Sequence, residues 1–208
     1  MLLSGSLQSI FVLALLGTAF SGSLSEAKNL IIEGVVLPHT AGTFVRTKVT
    51  DDESAYPGLG QTISYSSDLD FSATAYVYDL SLPSIPEGPL SDLNKRNMAQ
   101  AFRDVHAVAG REVTVLNQGV LGTPETGGLF DCVHMRLFQN FDSRRSFLCS
   151  TGINGRFLKL RVSGPDEVGS EQVFADFVFD IAHANKDVLY GIVPLSSSDN
   201  EVGSVGNE

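Results

Sequence analysis

The pair Asn154-Gly155 stands between two β-type runs, "SFLCSTGI" and "RFLKLRVSG", and it limits the fold more tightly than any other feature of this chain. Asn-Gly tolerates positive φ at both central positions of a two-residue hairpin, so the runs are expected to pair antiparallel. That turn sets Ile153 opposite Arg156 and, by register, Cys149 opposite Leu160. Upstream, "LFDCVHMRLFQ" (129–139) reads as another strand. The turn joining it to the Cys149 strand, near Asn140–Arg144, has no comparable signature. A two-residue loop at Asn140-Phe141 would put Cys132 opposite Cys149. A four-residue loop would offset the cysteines but keep both on one face, and a three-residue loop would separate them.

In the first two registers one face carries Phe130, Cys132, His134, Phe147, Cys149, Leu158, Leu160 and Val162. The other carries Val133, Met135, Leu137, Leu148, Phe157, Lys159 and Arg161. Both faces are substantially apolar, so the sheet needs cover on both sides. Two helices are expected to supply it. The first follows Ser91, a suitable N-cap, with Leu93, Met98, Phe102, Val105 and Val108 near one face and Gly110 at its end. The second follows Ser170, with a stripe of Val173, Phe174, Phe177, Val178 and Ile181. "TFVRTKVT", "QTISYSS", "FSATAYVYDL" and "REVTVLNQG" read as further strands, and "DVLYGIVPL" as a last strand or extended arm. The fold class expected is α+β: a mostly antiparallel sheet of about six to seven strands with a helix packed on each face.

The chain begins with an apolar run, "IFVLALLGTAF", too short for the ~20 residues of a membrane span. Small residues follow it, and cleavage after Ser21 or after Ala27 suits an export signal, although the preceding residues lack Lys and Arg. Residues 1–27 are expected to be a signal peptide, 28–195 one domain and 196–208 a disordered tail. The mature chain is expected to be exported, to the periplasm or beyond the cell, with no membrane span. With 208 residues it is long enough for one substantial core, and its net charge of −10 gives no general attraction for nucleic acid.

The succession of three strands, helix, four strands and helix over residues 43–187 resembles the PsbP-like family, the lumenal accessory proteins of photosystem II and their bacterial relatives. "SFLCSTGINGRFLKLRVSGP" is also similar to a hairpin of uncharacterised exported bacterial proteins, in which Thr-Gly precedes a turn and a Leu-Lys-Leu-Arg strand. The PsbP-like resemblance implies an α/β/α sandwich and a binding or assembly role. It supplies no catalytic residue.

The candidate sites are few. Cys132 and Cys149, mid-strand among Phe and Leu in an exported chain, are expected to form a structural disulfide rather than a redox pair. Cys132-x-His134 is too small a set for a metal site, and His39, His106 and His183 lie in other elements. Asp68 and Asp70 read as turn formers rather than calcium ligands. Asp180 and His183 read as a surface pair one helical turn apart. Lys159 and Arg161, with Arg144 and Arg145, are the candidate basic surface for an anionic ligand or partner, while His134 and Arg136 fall on the opposite face. Tyr76 and Tyr78 share a strand face and are expected either to help line a groove or to be part of the core. No motif calls for a cofactor or a metal. The function expected is a non-catalytic exported domain that binds a protein partner or small ligand or assists envelope assembly. The alternative is an exported enzyme with a dispersed site using His134 or Asp131, which a deep pocket joining His134 to a nucleophile would favour.

Overall fold

The computed structural model describes residues 28–123 and 128–190. The segment expected to be a signal peptide, the tail expected from 196, four residues of the "GTPETGG" turn and the end of the last arm lie outside them.

A small hairpin, β1 (Leu30–Ile32) and β2 (Val35–Leu37), precedes the main sheet. Four antiparallel strands follow: β3 (Thr40–Ala41), β4 (Phe44–Asp51), β5 (Gln61–Ser66) and β6 (Ser72–Tyr78). Helix α1 (Asp92–His106) then carries the chain to the far edge. From there β7 (Arg111–Leu121), β8 (Phe130–Gln139), β9 (Asp142–Ile153) and β10 (Arg156–Pro165) meander back until β10 pairs with β6. The eight-stranded order is β3-β4-β5-β6-β10-β9-β8-β7. Helix α2 (Ser170–Ala184) and the single turn α3 (Lys186–Leu189) close the described chain. The α+β class holds, with a mostly antiparallel sheet and few helices. The sheet has more strands than expected because β3 is two residues long, too short to show alternation.

Both tight turns in the β8–β10 meander are two-residue loops. Asn154 and Gly155 have φ of 51° and 72°, and Asn140 and Phe141 have φ of 54° and 65°. Ile153 pairs with Arg156 and Cys149 with Leu160, the register the Asn-Gly turn dictates. Gln139 pairs with Asp142, so the first turn takes the shortest of the three lengths and Cys132 lies directly opposite Cys149. Their sulfurs are bonded, and the Cα atoms stand 4.1 Å apart. That is closer than the ~4.4–6.8 Å common for disulfides. The pair closing a two-residue hairpin exchanges hydrogen bonds, and alternate pairs do not. Counting along β8 makes Cys132 and Cys149 one of the closer, non-hydrogen-bonded pairs.

The two faces of the sheet are covered unequally. One face presents Phe130, Phe147, Cys149, Leu160 and Val162 to Phe174, Phe177, Val178 and Ile181 of α2, all buried. The Phe177 ring meets Phe44 and Tyr65 edge-on at 4.9 and 5.3 Å. On the opposite face α1 packs Met98, Ala101 and Val105 onto Val133, Met135, Leu137 and Leu148 of β8 and β9. Ser91 caps α1, accepting a 3.1 Å hydrogen bond from the Asn94 N–H. The helix therefore covers the β7–β9 end of this face. The proline-rich loop 79–91 covers the tip of β10: Ile85 packs on Tyr78 and Phe157, and Gly88 and Gly152 exchange backbone hydrogen bonds of 2.9 and 3.1 Å. Only glycine fits at 152, because a Cβ there would stand 1.9 Å from the Pro86 carbonyl oxygen.

Three expectations are corrected. The N-cap of α2 is Gly169 (φ 95°), while Ser170 is the first helical residue and its Oγ donates to the Pro165 carbonyl at 2.9 Å. Lys186–Leu189 is a helical turn, not extended chain. Asp180 accepts a 2.7 Å hydrogen bond from the Gly42 N–H on the β3–β4 turn rather than pairing with His183.

Candidate functional site

Between α1 and the uncovered half of its sheet face runs a cleft, and its floor is set by strand pairing. Lys159 lies across from Tyr76, which lies across from Thr62. Arg161 lies across from Thr74, which lies across from Ser64 and then Lys48. The two rows put cations among hydroxyls on one face, while Ile63, Ala75 and Leu160 of the same strands point into the core. Lys159 Nζ sits 4.5 Å from the centre of the Tyr76 ring and 5.0 Å from that of Tyr78. The Tyr78 hydroxyl is anchored by donating to Asn97 Oδ1 on α1 at 2.8 Å. Arg111 enters from β7, held by Gln139 Oε1 and the Val105 carbonyl, and lines the cleft beside Lys159 and Arg161.

Among the described residues neither Lys159 nor Arg161 makes an ion pair. Both are half-buried. Burial pushes the Lys159 ammonium below the usual lysine range, partly opposed by Asp104, and Arg161 adds repulsion. Burial likewise lowers Arg161, with Arg111 repelling it and Tyr76 opposing. An ionised group in that position is held without a protein counter-charge in contact, and an incoming anion would supply it.

The other two arginines of the candidate surface are placed differently. Arg144 shares the cleft face but is drawn to the β5–β6 turn, where it bonds the Asp70 carboxylate at 3.1 Å and its carbonyl at 2.9 Å. Arg145 projects from the other face, since neighbouring strand residues alternate. There it pairs with Asp166 and, at 2.6 Å, with Glu171. The basic cleft is thus Lys159, Arg161 and Arg111. Arg111 was not signalled by sequence because its neighbourhood depends on the β7–β8 pairing.

A second pocket, of about 270 Å³, opens at the β7 edge under α2 and contains His134 and Cys132. The His134 ring stacks on Phe147 at 3.8 Å, and Phe147 stacks on Phe174 at 3.8 Å. Burial lowers the His134 pKa, with Glu171 opposing. The thiol next to it is spent in the disulfide, so no thiolate is available to pair with the imidazole. Asp131, its neighbour-but-two in sequence, lies on the opposite face opposite Ser150. These residues do not assemble a nucleophile–base pair. No group of three His, Cys, Asp or Glu residues converges on a point among the described residues, and no helix among them is long and apolar enough to cross a membrane.

The chain matches no family model and no curated protein. Among solved structures it is similar to the solution structure of cyanobacterial PsbP (CyanoP) from Synechocystis sp. PCC 6803, at 14% identity and a TM-score of 0.47. The alignment covers 76% of this chain and 94% of that one.

Proposed function

We propose that this chain is an exported, non-catalytic binding module that accepts an anionic group in the cleft of Lys159, Arg161 and Arg111. The observation that carries this reading is the pair of half-buried cations that make no ion pair among the described residues, on a chain whose net charge is −10. Retaining such groups against their desolvation cost is explained by an anion that completes them. The disulfide supports export, since such bonds persist in oxidising compartments.

Titration with inorganic phosphate and with acetate, followed by amide chemical shifts, tests it. Shifts should concentrate at β10, β6 and the C-terminal half of α1, weaken as salt rises, and fall at least tenfold in apparent affinity in Arg161→Met, the loss of one charge-assisted contact of ~1.5–3 kcal/mol. Shifts scattered over the surface, or unchanged in Lys159→Met and Arg161→Met, would sink the reading.

A further inference from the structure

The cleft continues past Lys159. Between α1 and the loop after β6 lies a cavity of about 410 Å³, whose sheet and loop walls are Leu59, Leu80, Leu82, Tyr78 and Phe157, while α1 contributes Leu93 and the charged Arg96, Arg103 and Asp104. Its volume falls in the ~300–1,000 Å³ range of small-molecule sites. Lys159 lines both this chamber and the neighbouring space of about 200 Å³ that holds Arg161 and Arg111. The chamber, apolar on its sheet and loop walls, therefore opens directly onto the cationic space, with Lys159, Ala101 and Asp104 shared between the two.

The chamber's rim is built at a conformational cost. Leu80 and Ser81 have φ of 56° and 58°, the left-handed region that Gly and Asn enter easily and Leu does not. Three hydrogen bonds hold them there: Leu82 N–H to the Asp79 carbonyl at 3.1 Å, Ser81 N–H to Asp79 Oδ1 at 2.7 Å, and Leu80 N–H to the Gly58 carbonyl at 2.8 Å. Asp79 is itself fixed by an ion pair with Arg156. The strain is not repaid by burial, because Leu80 is 46% exposed and Leu59, which lines the same chamber, is 45% exposed. Strain held in place by several contacts is characteristic of ligand clamps. Asp104 on the cleft wall offsets part of the positive charge near Lys159, which favours a monoanion over a phosphate dianion.

We infer that the ligand is a long-chain carboxylate, its chain in the leucine-lined chamber and its carboxylate between Lys159 and Arg161. This rests on the anion-binding reading above and adds the apolar half of the ligand to it.

Calorimetric titration of the full chain with octanoate, decanoate and laurate below their micelle concentrations tests the inference. Affinity should rise about fourfold per added methylene, the equivalent of ~0.8 kcal/mol each, until the chamber is full. Acetate should bind far more weakly, and dodecyltrimethylammonium, with the same tail and opposite charge, should not compete. Leu80→Asn supplies the second arm. Asn accepts the left-handed conformation, so this variant should melt a few degrees higher than the parent yet bind laurate at least fivefold more weakly, with acetate binding unchanged. If acetate or phosphate binds at the cations with no gain from chain length, the inference fails while the anion-binding reading stands. If no carboxylate of any length and no phosphate binds there, both fail. Equal binding of dodecyltrimethylammonium, or Leu80→Asn binding laurate like the parent, also overturns the inference.

Discussion

At the level of single residues, Cys132 and Cys149 separate a stabilising role from a chemical one. Their bond closes a loop of 17 residues in sequence separation, and in the chain-entropy model a loop near that size contributes about 3 kcal/mol. Replacing both with Ala should lower the melting temperature by about 6–12 °C. Anion binding at Lys159 should be unchanged, because the cysteines face the opposite side of the sheet. Differential scanning calorimetry and the titrations above measure the two effects. A double variant that stays stable but loses binding would make the cysteines part of the site. Lys159 and Arg161 were legible in the sequence, because alternation within one strand places both on one face. Arg145 was not, since its sign of charge is visible in sequence but its counter-ions Asp166 and Glu171 come from beyond β10.

Helix α1 shows what periodicity detects and what escapes it. The stripe of Leu93, Met98, Phe102, Val105 and Val108 gives the right helix but a face rotated from the true one. The buried residues are Asn94, Met98, Ala101 and Val105, and Val108 lies beyond the helix, 38% exposed. Asn94 is fully buried, donating Nδ2 to the Pro89 and Ser150 carbonyls at 2.8 and 3.1 Å and accepting from Ser150 Oγ at 2.7 Å. A polar side chain counts against burial in any hydrophobic pattern, and the partner that makes its burial tolerable lies 56 residues away. Asn94→Ala leaves those carbonyls and the Ser150 hydroxyl without their partner, so it should destabilise by about 2–3 kcal/mol. Urea unfolding measures this, and a loss under 0.5 kcal/mol, the range of ordinary surface substitutions, would show that the Asn94–Ser150 contact does not hold α1 to the sheet.

Across the whole molecule, stability in acid should depend on Asp166, which ties β8, β9 and the chain entering α2 together. Its carboxylate is bonded by Arg145, by Ser143 Oγ at 2.7 Å and by Arg136 at 2.7 Å. These, with the Arg145 hydrogen bond foremost, hold its pKa down to about 2. A carboxyl whose folded pKa lies below its unfolded value of about 3.9 contributes stability above that value and loses it as pH falls through the folded one. Urea midpoints of the parent and Asp166→Asn should therefore differ at pH 6 and converge between about pH 4 and pH 2. A gap that stays constant down to pH 2 would assign the effect to packing. The sequence by itself determined the order of the main strands and helices, the two-residue Asn-Gly turn, and the α+β class, because each depends on local backbone preference and on alternation within one element. It left open the length of the Asn140–Arg144 turn, and with it whether the cysteines meet. Only the tertiary structure decided that, along with how much of the sheet α1 leaves bare and which arginines find carboxylates. Those outcomes depend on contacts between residues far apart in the chain, and no local pattern encodes the partner a side chain will meet.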